Sequence, residues 1–169
     1  MVATQARLGN RGFTLIELLI VVAIIGIVSA LAAPFLLAAK ISSNEASAIS
    51  SLRTINSGQS AFASSCGRNY YTTDINTLVG RDYVSADLVF NPKSGYTIGL
   101  RQGLGAASGP PDCTGANPAT GYYASATPSS AAHGKRAFAT NASGTVWQNS
   151  AGVPPNEPFG IGGTVTTIR

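Results

Sequence analysis

An unbroken apolar stretch from Phe13 to Ala39 limits the folds that this chain can adopt. The stretch contains one ionisable side chain, Glu17. A helix over these residues is about 40 Å long, which exceeds the ~30 Å hydrocarbon core of a bilayer. Apolar residues cover all of its faces, unlike those of an amphipathic surface helix. We therefore expect the segment to lie in a membrane, in a bundle of protein helices, or in each at different times.

The charges that flank the stretch predict its orientation. Arg7 and Arg11 precede it without a compensating acid, whereas Lys40 and Glu45 follow it. The positive-inside rule then places the N-terminus in the cytoplasm and the rest of the chain outside. The net charge of +4 adds little, because the chain has no dense basic run. The sequence therefore does not predict a nucleic-acid-binding surface.

Two simpler interpretations of the stretch are an ordinary secretory signal peptide and a plain membrane anchor. A signal peptide would be cleaved after Ala30-Leu31-Ala32. However, the apolar run is longer than the 7–15 residues that are usual for a signal core, and it contains the charge of Glu17. Pro34 also lies just beyond that cleavage point. These features argue against a signal peptide.

A short basic leader that ends in glycine immediately precedes the apolar stretch. The sequence from Arg11 to Leu18 reads Arg-Gly-Phe-Thr-Leu-Ile-Glu-Leu. It resembles the class III signal of type IV prepilins and type II secretion pseudopilins, and the resemblance continues to Pro34. The resemblance implies that a prepilin peptidase cleaves between Gly12 and Phe13 and that Phe13 is then N-methylated. Residues 1–12 would be a leader that the mature protein lacks.

The same resemblance implies partners and a location. The partners would be the prepilin peptidase, an inner-membrane assembly platform, and identical or related pilin subunits. The chain would cross the inner membrane once before assembly, with its N-terminus in the cytoplasm. It would then lie in a cell-surface pilus or a periplasmic pseudopilus. A type II secretion pseudopilin and a DNA-binding minor pilin are the alternatives to a pilus subunit used in adhesion, motility or DNA uptake.

The charge of Glu17 is costly in an apolar helix unless another group compensates it. The α-amino group of Phe13 in a neighbouring subunit is one candidate, since an α-amino group is largely protonated at neutral pH. Such a pair would set the register between subunits, although much of its energy offsets desolvation. The alternative is that the carboxylate stabilises the positive N-terminus of its own helix.

Gly26 and Pro34 are both unfavourable within a helix. Glycine costs about 1 kcal/mol relative to alanine, and proline removes a backbone hydrogen bond. The resemblance implies a helix that is kinked between Gly26 and Pro34 in the membrane and extended there in the fibre. A fixed proline kink in every state is the alternative.

Beyond residue 39 the pattern becomes amphipathic, which predicts that the helix continues over residues 40–65 and packs on a sheet. Its apolar positions recur at spacings of three, four and seven: Ile41, Ala48, Ile49, Leu52, Ile55 and Phe62. Residues 66–169 would form the globular pilin domain. We predict an α+β fold with an antiparallel sheet of three to four strands, and an irregular tail from Val153 to Arg169. The strand patterns lie at residues 95–101, 122–127, 136–140 and 145–147.

Cys66 and Cys113 are the two cysteines of the chain. Two cysteines in an exported domain usually pair, so we predict a disulfide between them. The sequence contains no catalytic constellation, and its single histidine, His133, lies among Ser, Ala and Gly. We therefore predict neither enzymatic activity nor a cofactor, a metal or a small-molecule substrate.

Overall fold

The computed structural model describes residues 12–168 and divides into two compact units, one ending at Leu37 and the other beginning at Ala38. A single long helix, α1 (Leu15–Ser65), contributes to both units, and a short helix, α2 (Ile75–Gly80), follows it. A 3-10 turn covers Ala86–Leu88. The strands are β1 (Tyr96–Gln102), β2 (Tyr122–Pro128), β3 (Ala137–Asn141), β4 (Trp147–Asn149) and β5 (Val165–Thr167).

The first unit is the apolar part of α1. Gly26 and Pro34 both lie inside this helix. Because proline has no N–H, one backbone hydrogen bond of the helix is missing at Pro34. The extended form expected for Gly26 to Pro34 in a fibre stays a prediction.

In the second unit, the amphipathic part of α1 packs on the sheet. Four apolar residues of its predicted stripe are buried in the core: Ala48, Leu52, Ile55 and Phe62. They meet apolar residues of the sheet, among them Tyr96, Ile98 and Phe138. The helix face that reads as amphipathic in the sequence is therefore the face that covers the sheet.

Gly58 of α1 lies against the loop that follows α2. A Cβ atom at this position would overlap Cγ1 of Val84 and would lie 3.2 Å from the carbonyl oxygen of Tyr83. Glycine weakens a helix, but here it allows the loop to approach closely. Gly58 thus lowers the intrinsic stability of the helix but allows α1 and this loop to pack closely.

The sheet is antiparallel throughout, and its strands lie in the order β1-β2-β3-β4-β5. The α+β architecture is thus confirmed, but the described residues form five strands rather than the three to four predicted. The additional strand is β5, within the tail that the prolines led us to predict as irregular. A turn from Gly162 to Val165, with Gly163 at a φ of +56°, returns the chain to β4.

The segment between β4 and β5 covers the face of the sheet opposite α1. The Tyr123 hydroxyl donates a hydrogen bond to the Pro155 carbonyl at 2.7 Å. Phe159 stacks on Trp147, with ring centroids 5.6 Å apart, and lies 6.0 Å from the ring of Tyr123. Ala139 is fully buried on β3. The proline-containing tail therefore covers this face of the sheet.

The side chain of Asn91 occupies the outer edge of β1. Its Oδ1 accepts the N–H of Ile98 at 2.8 Å, and its Nδ2 donates to the Ile98 carbonyl at 3.1 Å. An unpaired strand edge is a template for pairing with another chain. Asn91 satisfies both backbone groups of Ile98 and so closes that position to strand addition.

The predicted disulfide between Cys66 and Cys113 is present. It joins the end of α1 to the loop that precedes β2, with the two Cα atoms 5.0 Å apart. Cross-linking residues that are 47 positions apart lowers the entropy of the unfolded chain, which the chain-entropy model values at about 4 kcal/mol. The bridge therefore anchors the long loop before β2 to the helix.

Candidate functional site

The first turn of α1 is capped by a reciprocal pair, Thr14 and Glu17. Oε2 of Glu17 accepts the Thr14 N–H at 3.0 Å and the Thr14 hydroxyl at 2.6 Å. The Glu17 N–H in turn donates to the Thr14 hydroxyl oxygen at 3.3 Å. This is a capping box, which satisfies backbone donors that a helix N-terminus otherwise leaves free. The intrachain role that the sequence offered for Glu17 is thus present in the isolated chain.

Both contacts with Thr14 use the same carboxylate oxygen of Glu17. The other oxygen, Oε1, forms no hydrogen bond within residues 12–168. A carboxylate has about four lone-pair positions, so Glu17 keeps the capacity to accept a further donor. The capping box and an intermolecular contact at Glu17 are therefore compatible.

The apolar residues around Glu17 have no cover in the isolated chain. Every large apolar side chain between Phe13 and Leu37 is between 46% and 83% exposed. A contiguous exposed apolar surface marks a site of contact with a membrane or with other proteins. Among the described residues, α1 is the one helix that is long and apolar enough to cross a membrane.

The predicted cleavage site lies directly before this helix. Gly12 and Phe13 are exposed and non-helical, and Phe13 is 83% exposed. Among the described residues beyond its chain neighbours, no atom lies within 4 Å of the position that a Gly12 Cβ would occupy. Arg7 and Arg11 lie outside the described residues. Cleavage and methylation stay predictions, and the backbone at Gly12 is open to a protease.

The structure brings Gly12, Phe13, Thr14 and Glu17 together at the start of α1, but the other predicted site residues lie elsewhere. Gly26 and Pro34 are further along the apolar helix, and the disulfide belongs to the second unit. Thr14 is the residue that sequence reasoning missed. The spacing Thr-x-x-Glu is the signature of a capping box and could have identified it.

A second polar cluster attaches α1 to the sheet. Glu45 of α1 is 5% exposed and accepts the N–H groups of Lys135 and Arg136 at 3.0 and 3.1 Å. It also accepts two bonds from the Arg136 guanidinium, at 2.8 and 2.6 Å. Burial by itself raises the pKa of Glu45, but the hydrogen bonds and the charge of Arg136 outweigh it, so the pKa lies below its usual value.

The hydroxyl of Tyr96 completes this cluster. It donates to the Arg136 carbonyl at 2.7 Å. Burial, with a contribution from the nearby Glu45 carboxylate, raises the pKa of Tyr96 well above its usual value. The hydroxyl therefore stays protonated and keeps its role as a donor.

The described residues contain no group of three or more His, Cys, Asp or Glu side chains that could hold a metal ion. The ring of His133 lies beside two hydroxyls, with Nδ1 3.1 Å from the Ser129 oxygen and 2.9 Å from the Ser130 oxygen. These contacts belong to the turn between β2 and β3. They connect His133 to serines of the same turn, and no carboxylate of the described residues is hydrogen-bonded to its ring.

The structure combines an exposed apolar helix, capped at its N-terminus, with an α+β unit. This arrangement is typical of a pilin-like protein. The family model for the prokaryotic N-terminal methylation motif matches residues 7–33. The chain is 38% identical over 104 residues to a protein of Myxococcus xanthus (strain DK1622) described as "Type IV major pilin protein PilA". That match covers 62% of this chain and 40% of the relative, so the chain spans less than half of the relative's length. No solved structure matches the chain.

The chain is thus similar to type IV pilins and prepilins in its N-terminal motif and over part of its length. This similarity agrees with the α+β fold and with the exposed apolar helix, which is long and apolar enough to cross a membrane.

Proposed function

We propose that the chain is a structural subunit of a type IV pilus and that it assembles through the apolar part of α1. The observation that carries the proposal is the uncovered apolar surface between Phe13 and Leu37, with one carboxylate, Glu17, at its start. Burial of apolar area is worth about 25 cal/mol per Å², so this surface favours lipid before assembly and neighbouring helices after it.

Processing comes first in this proposal. A prepilin peptidase cuts between Gly12 and Phe13, and the new amino group of Phe13 is methylated. The match to the methylation motif over residues 7–33 supports both steps, as does the exposed backbone at Gly12. The cut removes the positive charges of the leader and creates a cationic amine next to Glu17.

Before assembly, the subunit lies in the inner membrane with its N-terminus in the cytoplasm. The basic leader and the apolar helix support this orientation. The second unit then lies on the outer side, where a disulfide such as Cys66–Cys113 persists. An inner-membrane platform transfers subunits from this pool into the growing fibre.

In the fibre, Glu17 accepts the Phe13 amine of a neighbouring subunit. The free Oε1 of Glu17 supports this role, because it can accept the amine while Oε2 keeps the cap with Thr14. The pair defines how far one helix is shifted along the next. Gly26 and Pro34 supply the weak segment of the helix that becomes extended on packing.

We favour a pilus over a type II secretion pseudopilus because the similar Myxococcus protein is described as a major pilin. The same description favours a main filament subunit over a DNA-binding minor pilin. Adhesion, motility and DNA uptake are the roles that such a filament serves.

The intact mass of the chain in sheared cell-surface material, with N-terminal sequencing, tests the proposal. We expect a chain that begins at methylated Phe13, because only a processed and assembled subunit is released by shearing. The membrane fraction of the same cells serves as the control and should contain any unprocessed precursor. A surface chain that retains Met1, or one that begins at Ala33, would overturn the proposal.

A further inference from the structure

Two cavities of the second unit share one wall. They have volumes of about 240 and 380 Å³ and meet at Leu104, Asn141 and Glu157. We call the two together the Glu157 cleft. The loop after β1, from Gly103 to Ala106, lines the first cavity, and Trp147 and Phe159 line the second. The cleft has the size of a site for a small ligand or a single side chain.

Glu157 is the charged residue of this cleft. No Lys, Arg, His or Asp stands among the described residues that line it. Neither of the two ion pairs formed within residues 12–168 involves Glu157. Its carboxylate therefore brings a negative charge into the cleft that no lining cation neutralises.

Two hydrogen bonds hold the carboxylate in place. Oε2 accepts the N–H of Leu104 at 2.7 Å, and Oε1 accepts Nδ2 of Asn141 at 2.8 Å. Each oxygen has a second lone-pair position that these bonds leave open. Glu157 is thus oriented in advance, and it keeps the capacity to accept a donor from a ligand.

Aromatic rings lie beside this charge. Trp147 and Phe159 are stacked, with ring centroids 5.6 Å apart and ring planes 26° from parallel, and both are half-buried. The face of an aromatic ring is negative and attracts cations, most strongly for tryptophan. Rings and carboxylate therefore favour the same sign of ligand charge.

We propose that the Glu157 cleft binds an organic ammonium group, either of a free alkylamine or of a lysine side chain. Glu157 pairs with the positive charge, and Trp147 and Phe159 contact the adjacent carbon atoms. The guanidinium of Arg101 packs on the ring of Tyr123, with Cζ 3.9 Å from the ring centroid, and Arg101 does not line the cleft. The site is separate from the assembly helix and does not depend on it.

Trp147 makes the test direct, because it is the only tryptophan of the chain. The full-length protein in detergent micelles is titrated with choline chloride while the tryptophan fluorescence is recorded. Two matched probes accompany it: 3,3-dimethyl-1-butanol, a neutral molecule of the same shape, and potassium chloride at equal ionic strength. We expect a saturable change with choline alone.

Three variants identify the residues responsible. Glu157→Gln keeps the size of the side chain and removes its charge, and we expect the dissociation constant to rise about tenfold. Phe159→Leu keeps an apolar side chain and removes the ring, and it should weaken binding several-fold. Asp82→Asn is the control, because Asp82 is an exposed acid outside the cleft whose positive φ suits asparagine equally well. This variant should bind like the unmodified protein.

A second titration distinguishes the two sources of the ammonium group. Tighter binding of N-acetyl-lysine methylamide than of n-butylammonium chloride, a free amine with the same chain and head group, would indicate a protein ligand, and the reverse order a free amine. An equal response to choline and its neutral analogue would overturn the proposal. So would a response to methyl glucoside that Glu157→Gln does not change. If Glu157→Gln unfolds, the comparison of choline with its neutral analogue on unmodified protein decides alone.

Discussion

Glu17→Gln is expected to be cleaved and inserted normally but to be reduced about tenfold or more in sheared filaments. Glutamine can still accept both hydrogen bonds from Thr14, so the cap of α1 survives. The substitution removes the negative charge that would pair with the Phe13 amine of the next subunit. A loss of about 1.4 kcal/mol per contact already corresponds to a tenfold change, and every subunit in a filament makes the contact.

Thr14→Ala is the matched variant for this experiment. It removes the hydroxyl of the capping box, which costs about 1 kcal/mol of helix stability, and leaves the charge of Glu17 in place. Immunoblots of sheared and membrane fractions compare the two variants. The pairing hypothesis predicts that Thr14→Ala assembles far better than Glu17→Gln. If Thr14→Ala were lost from filaments while Glu17→Gln assembled, Glu17 would act only as a cap within its own chain.

Glu45→Ala is expected to lower the free energy of unfolding of the second unit by about 2–4 kcal/mol. The change leaves the N–H groups of Lys135 and Arg136 without their acceptor and the guanidinium without its carboxylate, although Nη1 of Arg136 still donates to Oε1 of Gln148. The Arg136 side chain is 40% exposed, whereas that of Glu45 is 7% exposed. Water can therefore solvate the remaining cation in part, which holds the loss below that of a fully buried pair.

The same pair predicts how stability depends on pH. The pKa of Glu45 is lower in the folded chain than in the unfolded chain. Its contribution is therefore fully present above the unfolded pKa, about 4.3 for glutamate, and is lost as the pH falls through the folded pKa. Glu45→Gln removes this dependence and keeps the shape of the side chain.

Denaturant unfolding of the full-length protein in detergent, followed through Trp147, measures both effects. The pKa values of Asp87 and Asp112 are also lowered, so the unmodified protein loses stability in acid from several sites. The difference between the unmodified protein and Glu45→Gln isolates the contribution of Glu45. That difference should be largest at pH 7 and should shrink as the pH falls below about 4.3. A difference that does not change with pH would show that the ion pair contributes no net stability.

The sequence predicts those features that depend on local pattern. The apolar stretch and the stripe from Ala48 to Phe62 define α1, because helical periodicity is visible over a long window. The pairing of Cys66 with Cys113 follows from their number and from export. The first three strands lie close to their predicted positions, because the alternation of side chains along a strand is also visible in a short stretch of sequence.

The features that depend on distant parts of the chain could not be predicted. Glu45 lies on the apolar stripe of the helix, four residues after Ile41, but its partner Arg136 lies 91 positions further along the chain, so the local pattern does not reveal the pair. The strand β5 has three residues, too few to show alternation, and it follows a segment rich in proline. Its pairing with β4 depends on a turn at Gly162 to Val165 and on the cover that Phe159 provides.

The most direct test of the account is a distance measurement in filaments assembled from two differently labelled batches of subunit. One batch carries ¹⁵N at the Phe13 amine and the other ¹³C at the Glu17 carboxyl carbon, so that a magnetisation transfer in solid-state NMR can arise only between subunits. The account predicts a transfer that reports an ion-pair distance of about 4 Å or less. Filaments that form with no such transfer would show that the Phe13 amine and Glu17 do not set the register.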